Sequence, residues 1–426
     1  MRKLLLICCT LLVEVAAAQP LREIDAAGVS FRGLSFLDTL LQGKRIVMLG
    51  ESSHGTEQYS QVKVELVRYL QEKLGYKVLL FESPMAACSY LPITKDTSAA
   101  LRVKASLQSF WHTQTIVTLF RYAQQRGLMI GGFDPQFVRS PYPKLFYEAA
   151  MASQPSLVAA INHLETRVDE TYTNPKLYLS LRDSFSTAYS QIAKQMEQMP
   201  LSPLQQWVHQ LMAVNSHYYA GITKGEERDH CMADNIIWLA DNLYKKEKII
   251  IWAHNTHIDK VATTPRRIMG KMLTDHFKDQ LYSVGLFMAN GSTALYPNNV
   301  IAVKPPLKGS LEAYMLQSGY RITFAESSDP FFRKPVPTWH WGKEKQRMEI
   351  NKSFDAVILV NGVSAPGYLE KSGLTVVRLM LAPPAAGRSM VVLQSKGLII
   401  FNTAVPRFPI QLKQPLWKCL KMPSTG

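Results

Sequence analysis

Arg45-Ile-Val-Met-Leu-Gly-Glu-Ser-Ser-His-Gly55 decides the fold: a short apolar, β-branched run stops at Gly50 and empties into Glu51, Ser52, Ser53 and His54. Behind it, Tyr59, Val62, Leu66, Leu70 and Leu74 recur three and four residues apart, which is one face of a helix. Gly75 is placed to stop that helix, and Lys77-Val-Leu-Leu-Phe81 begins a second apolar run. Strand, helix, strand in this rhythm predicts an α/β fold. Runs of the same kind follow at Leu128–Phe133, Lys248–Trp252, Tyr282–Phe287 and Asp355–Val360. Strands that are apolar almost throughout suit a mostly parallel central sheet with helices on both faces.

Residues 136–245 break the alternation. Helical patterns at 155–172, 178–197, 203–221 and 226–244 predict an insertion between two sheet strands, forming a lid or wall over the sheet. From about Lys371 the runs shorten and are punctuated by Pro383-Pro384 and Ser395-Lys-Gly397, the pattern of a small C-terminal β appendage over 371–426. The first 18 residues, Met1-Arg-Lys followed by an apolar stretch and small residues at Ala16 and Ala18, read as a signal peptide. The expected order is therefore leader 1–18, α/β domain 19–370 and appendage 371–426, in an exported protein that is periplasmic or secreted. Cys8 and Cys9 leave a lipid-anchored form as the lesser alternative. Cys88, Cys231 and Cys419, widely separated, make no disulfide framework and are expected to be ordinary buried residues.

In an open α/β sheet, ligands bind beyond the carboxyl ends of the strands. Here those ends carry Glu51 and His54, then Glu82, then Asp134, then His254-Asn-Thr-His257. Any one of them alone would be ordinary cap or turn material. Three carboxylates and three imidazoles on one edge exceed what a fold needs. His54, just ahead of a helix, feels the positive amino end that favours neutral imidazole, while Glu51 or Glu82 would pull the other way and fix the tautomer. That balance suits a general base at neutral pH. No GxSxG elbow, HExxH or GxxxxGK[ST] loop is present.

Gly50-Glu51-Ser52-Ser53-His54-Gly55, the strand ending in Glu82, Gly-Phe-Asp at 132–134, Arg228-Asp-His-Cys-Met-Ala-Asp-Asn235 and Ala253-His-Asn-Thr-His-Ile258 together resemble the erythromycin esterase family. The resemblance spans roughly residues 40–365. It implies a hydrolase that cleaves an ester, macrolactones included, by direct attack of water, without metal or other cofactor. On that pattern His54 is the base, Glu51 orients it, and Glu82 and His254 complete the catalytic cluster. Lys63, His257, Asp134 and Arg228 are the substrate-binding candidates. Lys63 stands where the family carries arginine, keeping the charge but losing the planar fork.

Two other readings of the same residues stay open at this point. One fills the Glu/His cluster with a metal. The other is a protein that binds haem or another large ligand, with His254 or His257 as axial ligand. Composition narrows the classes further. The 426 residues are 47% hydrophobic, which excludes a disordered chain. The net charge of +15 is concentrated, with eight basic and no acidic residues from Lys371 onward. They are spaced out and accompanied by no nucleic-acid motif, so a solvated face is expected, with neither nucleic-acid nor membrane-surface contact. The expected partner is a small hydrophobic ester; oligomeric state is not legible.

Overall fold

The computed structural model describes residues 21–24, 33–222, 227–261, 268–297 and 299–369, with the backbone at 375–376 and 393–394. Its strands are β1 (Arg22–Glu23), β2 (Ile46–Leu49), β3 (Tyr76–Pro84), β4 (Met129–Asp134), β5 (Lys248–Trp252), β6 (Leu281–Tyr296), β7 (Asn299–Ala302), β8 (Ile322–Glu326), β9 (Val336–His340), β10 (Glu344–Met348) and β11 (Ala356–Val363). Among the described residues nine strands form one sheet, in the order β1-β8-β11-β6-β2-β5-β3-β4 with β7 on β6. All six runs marked in the sequence lie in it. From β11 to β4 the neighbours are parallel. β8 and β1 add an antiparallel edge.

Successive strand residues point to opposite faces, and here each face has its own core. Ile46 and Met48 join Ile249, Ile251, Val78 and Leu80 in one. Val47 and Leu49 join Ile250, Trp252, Leu79 and Phe81 in the other. The second face is covered by the helices Glu57–Leu74 and Gln114–Arg126, whose Val62, Leu66, Ile116 and Phe120 are buried there. Gly75, in left-handed conformation, ends the first of these helices.

The helical segment lines the first face. Pro155–Tyr172 and Pro203–Gly221 are continuous helices; the pattern at 178–197 divides into Pro175–Ser180 and Arg182–Glu197. The pattern at 226–244 is Glu227–Trp238, which continues into a wider turn over Leu239–Leu243. Their buried residues share the core of Ile46 and Met48, so the segment stands as a wall against the sheet. Among the described residues no helix is long and apolar enough to cross a membrane.

Two arms reach past the carboxyl ends of the strands. β6 runs on beyond Gly291 and pairs antiparallel with β7. There Ala294 N–H donates to the Gly55 carbonyl at 2.8 Å. A Cβ on Gly55 would lie 2.0 Å from the Ala294 oxygen, so only glycine permits this clamp. The second arm is the β9–β10 hairpin, pinned by Trp341 N–H donating to the Ser52 carbonyl at 3.2 Å. Of the expected appendage, Thr375–Val376 pairs antiparallel with Leu393–Gln394. Its remainder and the leader lie outside the described residues.

Candidate active site

β2 hands the chain on towards β3 and β5 hands it on towards β6, although β2 and β5 are neighbours. Connections that diverge in this way open a crevice above the two strand ends. Glu51 and His54 stand on the β2 side of it and His254 on the β5 side. Their mutual position depends on Gly50: a Cβ there would lie 2.0 Å from Asn255 Oδ1. Asn255 in turn donates to the Leu286 carbonyl at 2.8 Å and accepts from Leu286 N–H at 3.1 Å, which locks β5's exit onto β6.

His54 Nδ1 donates to Glu51 Oε1 at 2.7 Å, leaving the lone pair on Nε2. Glu51 is 1% exposed. Its other oxygen accepts from Lys63 Nζ at 2.8 Å and from Trp252 Nε1 at 3.2 Å. Burial pushes the Glu51 carboxyl up, but Lys63 and then His54 outweigh it and hold the group below its ordinary value. Lys63 is fully buried, lies 4.6 Å over the Trp252 ring and also reaches the Ala253 carbonyl at 3.5 Å. Its ammonium faces Glu51 and the protein interior.

His254 has the opposite polarity. Its Nδ1 accepts from Thr256 N–H at 3.2 Å and pairs with Thr256 Oγ1 at 2.9 Å, which places the proton of the neutral ring on Nε2. Burial, then His54 and His340, hold this imidazole well below its ordinary value, so it stays neutral. Its Nε2 is buried and has no hydrogen-bond partner among the described residues. The ring lies 5.2 Å from His54 and stacks on Trp341 at 4.6 Å. Phe110 and Trp111 close the other side of His54 at 5.1 and 5.4 Å.

A second cluster supports the first. Glu82 Oε2 accepts the His254 backbone N–H at 2.8 Å, and Oε1 accepts from Arg228 Nη2 at 2.8 Å and from His257 Nε2 at 3.2 Å. Arg228 also grips Asp134 through Nη2 at 2.6 Å and Nε at 3.2 Å. His257 Nδ1 donates to Asp229 Oδ1 at 2.7 Å. Burial would lower His257, yet Glu82 and Asp229 overcome it and raise the group to about 10, so it is an imidazolium. Burial likewise pushes Glu82 up, and the opposing His257 charge, then His54 and Arg228, hold it well below the carboxylate range. His257 Nε2 also lies 3.3 Å from Arg228 Nη1.

All eight residues singled out in the sequence thus gather at one sheet edge, in two linked groups. Lys63 backs Glu51 instead of lining the crevice. Asp229, adjacent to Arg228 in sequence, carries a role that the motif alone did not assign. Phe110, Trp111 and Trp341 gave no sequence signal, since their proximity to His54 comes from a short 3₁₀ turn and a hairpin with no periodic pattern. Cys88 and Cys231 are buried free thiols, as expected.

The sequence pattern of the family described as erythromycin esterase matches residues 71–363. The chain belongs to the erythromycin esterase family. It is an esterase-type hydrolase. The matched span contains Glu82, Asp134, Arg228, His254 and His257; Glu51, His54 and Lys63 precede it. A putative hydrolase, YbfO, of Bacillus subtilis (strain 168) is 28% identical over 406 aligned residues, covering 82% of this chain and 89% of that protein. Erythromycin esterase type II of Escherichia coli is 20% identical over 389, covering 76% and 91%. The fold of this esterase-family chain is shared with a crystal structure of a Bacillus cereus protein, at TM-score 0.67 and 16% identity, covering 82% of this chain and 97% of that one. A mutant of the erythromycin esterase EreC in its open conformation matches at TM-score 0.60 and 16% identity, covering 82% and 99%.

Proposed function

We propose that this hydrolase cleaves a hydrophobic carboxylic ester by water that His54 deprotonates, with no metal and no covalent intermediate. The observation that carries the reading is the Glu51–His54 contact at 2.7 Å, which commits Nδ1–H and leaves Nε2 basic opposite the unpartnered His254 Nε2. Water held by His54 Nε2 loses a proton to it as its oxygen bonds to the carbonyl carbon. The carbonyl electron pair moves to oxygen, where His254 Nε2–H donates to it. When the pair returns, the bond to the alkoxide breaks, and the His54 imidazolium supplies that oxygen with its proton. The products are one acid and one alcohol, and His54 is again neutral.

Two further observations support direct attack by water without a metal. Ser52 and Ser53, beside the base, are buried and turned to Tyr59 Oη at 2.7 Å and Thr293 Oγ1 at 2.8 Å, so neither hydroxyl faces His54. Every carboxylate of the cluster already answers a cation: Glu51 has Lys63, and Glu82 and Asp134 have Arg228. A metal would displace those partners. Phe110, Trp111 and Trp341 around the imidazoles favour an apolar ester, and a macrolactone is the first candidate from the Escherichia coli relative's name.

Nitrophenyl esters and macrolides, assayed with and without chelator, test the reading. Turnover that survives chelation and is lost in Glu51→Gln supports it. Turnover lost on chelation and restored by a divalent ion contradicts it. We also propose that the enzyme acts after export, from the basic and apolar pattern of residues 1–18. Residues 1–30 fused to a phosphatase active only outside the cytoplasm should give activity; a silent fusion opposes export.

A further inference from the structure

His254 is not the sole residue beside His54 whose polar atom lacks a partner. Trp111 is 1% exposed, and its Nε1 is buried with no acceptor among the described residues. The indole nitrogen can only donate. Leaving such a donor unmade costs about 1–3 kcal/mol, so an oxygen of a bound ligand would complement it. The place of the ring gives this meaning. Trp111 closes the 3₁₀ turn Ser109–Trp111, and its ring is held edge-on to His54 at 5.4 Å and to Phe81 at 5.7 Å. His112 Nε2 is fastened to the Leu107 carbonyl at 3.0 Å, and Thr113 caps the helix Gln114–Arg126, which fixes the turn on both sides. Trp207 also has an unpartnered Nε1, but its ring packs on Phe146 at 5.3 Å within the helical wall, far in sequence and core from the base. The missing acceptor matters at Trp111 because two donors, there and on His254, flank the same imidazole.

We propose that Trp111 is a further catalytic residue, whose Nε1–H shares the carbonyl oxygen of the ester with His254 Nε2–H. The inference rests on the hydrolytic reading above. As water adds to the carbonyl carbon, the C=O pair moves onto oxygen and both N–H···O hydrogen bonds strengthen; as the pair returns, the bond to the leaving alkoxide breaks and that oxygen takes the proton from the His54 imidazolium. Both donors are neutral and rigidly placed, and a site dry enough to bury them makes each worth more than in water. Two donors sharing one oxygen would give the hydrolase an oxyanion site built from two aromatic side chains, with no backbone amide required.

Trp111→Phe keeps the ring and removes the N–H. Loss of one such donor should lower kcat about 10²–10³-fold. KM should move by less than about threefold, because the donor acts mainly on the transition state. The affinity for a phosphonate monoester, a tetrahedral anion of the same shape, should fall in step with kcat. In wild-type enzyme labelled with ¹⁵N on the indole nitrogens, the phosphonate should shift the Trp111 N–H signal downfield and leave Trp207 in place. That second measurement stands even if the variant fails to fold. An unmoved Trp111 signal, or a Trp111→Phe enzyme with kcat within about threefold of wild type, overturns the inference. If wild type cleaves no ester while the phosphonate still shifts Trp111, the oxyanion site stands and the hydrolytic reading fails. If esters are cleaved through His54 but Trp111 stays silent, the reverse holds.

Discussion

Lys63 Nζ lies 2.8 Å from Glu51 Oε2, and neither group meets solvent. The proposed general base would therefore rest on a buried ion pair: Lys63 holds Glu51 charged, and Glu51 holds the His54 proton on Nδ1. Burial lowers Lys63 to about 8, against the opposing pull of Glu51. Above that pH the ammonium is lost, and Glu51 faces burial with only neutral donors. An alkaline limb centred near pH 8 is expected in kcat/KM. Lys63→Arg, whose guanidinium stays charged throughout, should carry the limb out of the accessible range, while Lys63→Met should leave Glu51 unpaired at a cost of about 3–5 kcal/mol. A Lys63→Arg profile with the limb unmoved would show that another group titrates there.

His257 supplies a different pH dependence. Its imidazolium is held by Asp229 and Glu82 at about 10, above the ordinary 6.5. A group raised on folding contributes stability that is fully present below its unfolded value and lost as pH climbs through the folded one. The stability gap between wild type and His257→Gln should therefore be widest below pH 6.5 and close towards pH 10. Urea midpoints for both proteins at pH 6, 8 and 10 measure it, and a constant gap would mean that His257 is neutral.

Gly50→Ala should separate the two halves of the site. The new Cβ would meet Asn255 Oδ1 at 2.0 Å and Ile258 Cδ1 at 2.8 Å. Overpacking of this kind costs about 1–3 kcal/mol. Because Asn255 is tied to Leu286 on one side and follows His254 on the other, kcat should fall with stability. Full activity at unchanged urea midpoint would show that the β2–β5 junction has slack.

The same local signals explain what the sequence disclosed and what it hid. Apolar runs such as Lys248–Trp252 had to be buried on both faces, so the parallel core and the helices over it followed from residue type alone. Motif residues at strand ends followed from the rule that α/β sheets bind ligands there, which is how Glu82 and Asp134 came to be marked beside His54. The antiparallel strand Glu344–Met348 carries no alternation, since four of its five residues are polar or charged and it is held by pairing with Val336–His340. Trp341 reaches His254 from that hairpin, a contact no spacing encodes. The place of Lys63 was not read from the sequence. It was expected to bind substrate, yet it shares a helical face with Tyr59, Leu66 and Leu70 that turns to the sheet, and there it is buried against Glu51. The partner itself, Glu51, depended on where β2 ends relative to the helix.

Base activation by His54 is tested most directly by the kcat of His54→Ala on a chromogenic ester that wild type cleaves, with the fold checked by circular dichroism and a urea midpoint. Loss of a general base should reduce kcat by about 10²–10⁴-fold while the fold persists. Turnover of the folded variant within about twofold of wild type would contradict water activation by His54.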